Sequence, residues 1–88
     1  MQVIIEGTLR QLKIQSQKYS LVNNHGYSFE NANYHVDIRH VLNVYGTPVN
    51  YWEISIRKKD SGKYVYSNTD LSSLTQEELL NILKNHGF

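Results

Sequence analysis

Over the eleven residues from Tyr34 to Val44 the chain alternates with a period of two. The even positions are Tyr34, Val36, Ile38, His40, Leu42 and Val44; the odd ones are His35, Asp37, Arg39, Val41 and Asn43. Successive side chains of a strand point to opposite faces, so this pattern predicts a half-buried strand with its even face inward. Gly46-Thr47-Pro48 interrupts it, and the same parity resumes with Trp52, Ile54 and Ile56. Asp60-Ser61-Gly62 predicts a second turn and residues 63–67 a third strand, so residues 34–68 read as an antiparallel meander.

Paired residues share a face, which constrains the register. Matching apolar residues sets Val44 against Trp52, Leu42 against Ile54 and His40 against Ile56, with residues 46–50 as the loop. On the odd face the same register sets Tyr45 against Tyr51, Asn43 against Glu53, Val41 against Ser55, Arg39 against Arg57 and Asp37 against Lys59. In the second hairpin Ile56 faces Tyr66 and Lys58 faces Tyr64.

The flanks carry different signals. Residues 2–15 mix two strand parities, Val3, Ile5 and Leu9 on one and Leu12 and Ile14 on the other, which predicts a bulged strand or a short hairpin turning at Glu6-Gly7. A weak strand at residues 19–22 follows, and residues 23–33 read as a loop anchored by Tyr27 and Phe29. At the other end Thr75-Gln76-Glu77-Glu78 is a capping box, Leu74 and Leu79 stand at the staple positions, and Gly87 is a stop. A helix over about 76–86 follows, with Leu79, Leu80, Ile82 and Leu83 on its apolar face, too short to persist alone in water. It is expected to lie on the sheet over Trp52, Ile54, Ile56, Leu42 and Val44.

The predicted fold is therefore α+β: a single domain over residues 1–88, a four- to five-stranded antiparallel sheet made of the meander and N-terminal strands, and one C-terminal helix packed on one face. An 88-residue chain has enough surface to bury one modest core.

Composition narrows the function classes. There is no cysteine, which removes disulfides, thiolate zinc sites and cysteine nucleophiles. The longest purely aliphatic run is Val3-Ile4-Ile5, so no span of a bilayer is expected, and Met1-Gln2 opens no signal peptide, which points to a cytoplasmic protein. A net charge of +1 gives the whole chain no pull toward nucleic acid or anionic lipid. Seven tyrosines and a wealth of Asn, Lys and Ile fit an AT-rich coding sequence, as in a low-GC bacterium or its phage.

No catalytic constellation is visible. The four histidines show no zinc-binding spacing, and the five glycines are isolated, so no phosphate loop is formed. His35 and Asp37 share a strand face and could pair as acid and base or hold a metal, but a solvated polar face explains them as well. His40 falls on the apolar parity and is expected to have one ring nitrogen satisfied; His25 and His86 show no partner. No cofactor, metal or catalytic residue is assigned, and the chain reads as a non-enzyme.

The odd face of the meander is the informative surface. Two arginines directly opposed repel unless an anion relieves them, and Lys58, Lys59 and Lys63 lie just beyond. Arg39, Arg57, Lys58, Lys59 and Lys63 thus form the candidate nucleic-acid site. Trp52-x-Ile54-x-Ile56 followed by Asp60-Ser61-Gly62-Lys63 and a C-terminal helix resembles, over residues 49–88, the plan of integrase arm-binding and AP2-like DNA domains. That resemblance implies an exposed sheet face entering the major groove. The double-stranded RNA-binding plan needs an N-terminal helix, which residues 2–15 do not predict.

One short helix cannot cover five strands, and the uncovered face would carry Val41, Tyr45, Tyr51 and Val65. Tyr45, Tyr51, Val41 and Asn43 form the candidate protein-binding site, used for a partner protein or a second copy. The leading expectation is a small binding module that regulates or inhibits another protein; the alternative is a DNA- or RNA-binding accessory protein.

Overall fold

In the computed structural model, which describes residues 1–88, the long alternation becomes the central hairpin of the sheet. Strand β3 (Tyr34–Val44) pairs antiparallel with β4 (Thr47–Lys58), setting Val36 opposite Ile56, Ile38 opposite Ile54 and His40 opposite Trp52. As far as Val41 the parity is as expected and the register is not: Ile54 meets Ile38 rather than Leu42, a slip of four residues. An even slip leaves every side chain on its face, so apolar matching alone cannot detect it. The turn decides. Tyr45 and Gly46 have φ of 50° and 83°, the two left-handed positions of a two-residue type I′ hairpin turn. A bulge between Val41 and Asn43 absorbs the odd residue, Leu42, and beyond it Asn43 meets Pro48 and Val44 meets Thr47, so these two exchange the faces expected of them. Pro48 is tolerated inside β4 because β5 (Tyr64–Asn68) pairs only with Ile54 to Arg57 and leaves the Pro48 end of the strand as an edge.

The second hairpin sets Ile56 opposite Tyr66 as expected, but an irregularity brings Arg57, not Lys58, opposite Tyr64. Residues 23–33 are not a loop. Asn24–Glu30 forms β2, with Tyr27 and Phe29 buried, and pairs with β3 on one side and with β1 (Gln17–Ser20) on the other. The sheet is an antiparallel meander in the order β1-β2-β3-β4-β5.

The N-terminal strands are the other correction. Residues Gln2–Gln11 form helix α1, which buries Ile5, Thr8 and Leu9 along one side. Those positions are three and four apart, the spacing of one helical face. Thr8 spends its hydroxyl on the Ile4 carbonyl at 2.8 Å, so a β-branched polar residue fits inside the helix without an orphan donor. The chain leaves the helix at Lys13, whose φ is 55°.

Helix α2 (Gln76–Lys84) carries the expected capping box, and a single 3₁₀ turn (Leu71–Ser73) leads into it. Both helices lie on the same face of the sheet, and Gln76 of α2 comes against Gly7 of α1. The core is the layer between: Ile5, Leu9, Leu71, Leu79 and Leu83 above, Tyr27, Phe29, Val36, Ile38, Ile54 and Ile56 below. The class is α+β as expected, an open five-stranded antiparallel sheet with α2 on one face and α1 beside it. No helix is long and apolar enough to cross a membrane.

The hairpin of β3 and β4 outruns this core. Leu42 and Val44, expected beneath α2, are exposed, and Trp52 is only half-buried.

Candidate binding surface

The sheet face turned away from the helices is polar, which an antiparallel sheet with one solvated side can afford. Arg39 faces Glu53, not Arg57, and their Nε and Oε1 atoms are 3.1 Å apart. Arg57 lies four residues further along β4, about 13 Å at the usual rise of a strand, and faces His35. The opposed arginine pair therefore does not exist, and with it goes the two-sided grip on a phosphate. Lys59 is held by Glu30 and the Asn31 carbonyl, both at 3.3 Å. Lys58 shares its side of the sheet with Tyr34, its cross-strand partner, and Lys63 is exposed after the β4–β5 turn. Arg39 thus stands apart from the other four cations, which share the far end of β4 but not one face of the sheet.

His35 sits among polar groups: Ser28 Oγ is 3.2 Å from Nε2, Glu30 Oε2 is 3.4 Å from Nδ1, and Asp37 Oδ2 is 3.4 Å from Nε2. Serine, histidine and carboxylate thus stand in the order of a hydrolytic triad. Asp37 spoils the order, because the nitrogen that would take the serine proton already faces a carboxylate. The His35 hydrogen bond, then Lys59, holds the Glu30 carboxyl below its ordinary value, as expected of a surface ion cluster. Tyr19 looks onto the same face from β1, across Gly26 from Arg39; burial, partly offset by that arginine, pushes its phenol up.

The protein-binding candidates are brought together. Val41, Asn43, Tyr45 and Tyr51 line one shallow concavity with Asn23, Asn24 and Val44. Val41 and Tyr51 are direct cross-strand partners, and Val41 is buried. Tyr45 does not face Tyr51, as the expected register had it; it occupies the turn, and its ring is fully exposed. Asn43 accepts from the Gly46 N–H at 2.8 Å and so braces that turn.

Sequence reasoning missed the neighbours of this concavity. Leu21 is 63% exposed and Val22 98%, in the turn between β1 and β2. That turn is tied to the bulge of β3 by the Leu42 N–H, which donates to the Asn23 carbonyl at 2.9 Å. Leu21, Val22, Leu42, Val44 and Tyr45 therefore crowd one end of the sheet. The signal was the apolar pair Leu21-Val22 directly before two asparagines.

On the helix side, at the same end, three aromatic rings meet. His40 stacks on Trp52 with centroids 4.6 Å apart and planes 5° from parallel. His25 stands edge-on to both. His40 Nδ1 is 3.1 Å from His25 Nε2, and His40 Nε2 is 2.5 Å from Asn50 Oδ1. Both ring nitrogens of His40 are thus satisfied, rather than one. His25 has a partner after all, as does His86, which donates from Nδ1 to the Ile82 carbonyl at 2.7 Å and packs edge-on against Tyr34. No group of three or more His, Cys, Asp or Glu side chains is gathered to hold a metal ion.

Compared with protein-family models, with curated proteins and with solved structures, the chain matches none.

Proposed function

We propose that this chain is a small non-enzymatic binding module that recognises another protein, and regulates or inhibits it, through the end of the sheet formed by the β3–β4 turn and the β1–β2 turn. The observation that carries this reading is Tyr45. A type I′ turn asks for Asn, Asp or Gly at its first position, because a residue with a large side chain loses ~1 kcal/mol or more in left-handed backbone. Tyr45 occupies that position at φ 50° with its ring wholly in solvent. The ring contributes nothing to the core. It is what an interface uses: a rigid aromatic anchor, at an end of the sheet that also exposes Leu21, Val22, Leu42 and Val44. Against the nucleic-acid alternative stands the ion pair of Arg39 with Glu53, which neutralises the centre of the supposed basic face. The N-terminal helix that the double-stranded RNA-binding plan requires is present, but α2 opens with Glu77 and Glu78, which repel phosphate.

The test is a photo-cross-linking side chain placed at position 45, with one at position 3 as the control, since Val3 is also exposed but lies on α1. The reading expects a discrete protein adduct from position 45 only, and its loss on competition with wild-type chain but not with Tyr45→Asn. Adducts of equal yield from both positions would sink it. Tight, salt-sensitive binding of DNA or RNA, lost in Arg57→Ala, would favour the alternative.

A further inference from the structure

His25 and His40 are direct cross-strand partners on β2 and β3, on the helix side of the sheet, where the proposed interface makes no use of them. We propose that they form a two-imidazole half-site for a divalent first-row transition-metal ion of the copper, nickel or zinc type, bound by His25 Nε2 and His40 Nδ1.

The geometry is set by the neighbours. An amide oxygen only accepts, so Asn50 Oδ1 at 2.5 Å fixes the proton of neutral His40 on Nε2. The lone pair of His40 is then on Nδ1, 3.1 Å from His25 Nε2; an ion held by both would sit to one side of the line joining the two nitrogens, reached by a tilt of the rings. Two imidazole nitrogens bound to one ion at ~2.0–2.1 Å stand roughly 2.9–3.4 Å apart for angles between square-planar and tetrahedral. The observed separation lies inside that range. Asn50 stands to His40 as the outer carbonyl that orients a metal-ligating histidine commonly does. The parallel Trp52 ring holds the plane of His40.

Without metal, His25 Nε2–H donates to His40 Nδ1. On binding, that proton moves to His25 Nδ1, both nitrogens of the pair present lone pairs, and the two rings stay neutral, so no net proton is released. Imidazole donors without carboxylates suit copper, nickel and zinc rather than magnesium or calcium, and copper(II) binds tightest of the three. His25 also lines a solvent-open groove with Gln2, Lys18 and Ser20, so water can supply the remaining coordination positions. Two protein donors make a half-site, open to completion by a third group from outside the chain.

Trp52 is the only tryptophan and stacks on a proposed ligand, so its fluorescence is the probe. Copper(II), nickel(II) and zinc(II) are titrated separately into the full chain at neutral pH. Copper and nickel should quench Trp52 saturably at one equivalent, copper at the lower concentration, and zinc should compete with nickel. His25→Ala keeps the His40–Trp52 stack and should abolish the saturable phase. Asn50→Ala should weaken binding by about 10–100-fold, the usual effect of losing such an outer partner. His35→Ala, on the other sheet face, should leave the curve unchanged. If His25→Ala melts below the assay temperature, His25→Phe preserves an edge-on ring without a nitrogen and should equally lose the metal. Quenching that rises linearly without saturation, or a saturable curve that survives His25→Phe, overturns the proposal.

Discussion

Arg39 Nε lies 3.1 Å from Glu53 Oε1 across the central hairpin, at directly opposed positions of β3 and β4. The nitrogen is buried and its N–H is not aligned on the carboxylate, so the contact is Coulombic more than a directed hydrogen bond. The two side chains are one-third and one-fifth exposed. Such a pair contributes up to about 1 kcal/mol. Glu53→Gln should lower stability by that amount, because it leaves the guanidinium with a neutral neighbour. Arg57→Ala removes a cation that makes no ion pair and should change stability by less than about 0.5 kcal/mol. Urea midpoints of the two variants would separate these outcomes, and equal losses would mean that Arg57, too, is paired in solution.

Gly26 sits between Tyr19 and Arg39 on neighbouring strands. A Cβ there would overlap the Ile38 carbonyl oxygen and come within 2.8 Å of Arg39 Cα, both backbone atoms of β3. Neither can turn aside as a side chain can, so β2 and β3 would have to part. Gly26→Ala should cost about 3 kcal/mol or more, at the high end for a single methyl group. Thermal melting measures it; a melting temperature within a few degrees of wild type would show that the strands yield easily.

What the sequence disclosed and what it hid follow one rule. Signals that are local and chemically specific were legible: the reciprocal bonds of Thr75 and Glu78 in α2, and the parity of β3 and β4. Register was not, because slips of two or four preserve parity and only the backbone of Tyr45 and Gly46 chooses among them. Helix α1 was hidden because its β-branched Val3, Ile4, Ile5 and Thr8 have strand-like propensity, and its true signal was the spacing of Ile5, Thr8 and Leu9. Strand β2 was hidden because Asn24, Gly26, Ser28 and Glu30 occupy its solvent side, leaving only His25, Tyr27 and Phe29 to show the alternation. Val41 and Tyr51 came out as neighbours because parity survived the slip as far as Val41; Asn43 and Tyr45 lie beyond the bulge and join the concavity through the turn, whereas Arg39 and Arg57 depended on the register itself.

The capping box gives a measurable number. Thr75 Oγ1 accepts from the Glu78 N–H at 3.1 Å, and Glu78 returns a carboxylate oxygen to the Thr75 N–H at 3.3 Å. Thr75→Ala should cost ~1 kcal/mol, the usual loss of an N-cap. By contrast Ile54→Ala, in the fully buried layer under the helices, should cost about 2–5 kcal/mol. Trp52→Ala should cost less than Ile54→Ala despite the larger side chain, because its ring is half-exposed on His40. Denaturant midpoints rank the three, and Trp52 as the costliest would place its ring in the core after all.

Tyr27 ties β2 to α1. Its hydroxyl donates to Glu6 Oε1 at 2.6 Å, and Lys18 reaches the same oxygen at 3.3 Å. Burial first, then the bond to Glu6, pushes the Tyr27 phenol up to about 12 from its ordinary value of 10. The same hydrogen bond, then Lys18 and Gln2, holds the Glu6 carboxyl below its ordinary 4.5. The two shifts act at opposite ends of the pH scale. As pH falls below 4.5 the unfolded chain takes up the Glu6 proton first, so this contribution is full above 4.5 and is lost as pH falls through the lowered folded value. As pH rises past 10 the unfolded chain loses the Tyr27 proton first, so that contribution is full below 10 and is lost as pH climbs toward 12. The tether is therefore strongest between these limits. Tyr27→Phe keeps the buried ring and deletes the bond. Its stability should be lower than wild type at neutral pH and should fall less steeply at both extremes, and its absorbance titration should lack the late tyrosinate step near pH 12. Urea midpoints across the pH range test this directly. Parallel curves for the two proteins would mean that the hydroxyl of Tyr27 bonds to water instead of to Glu6.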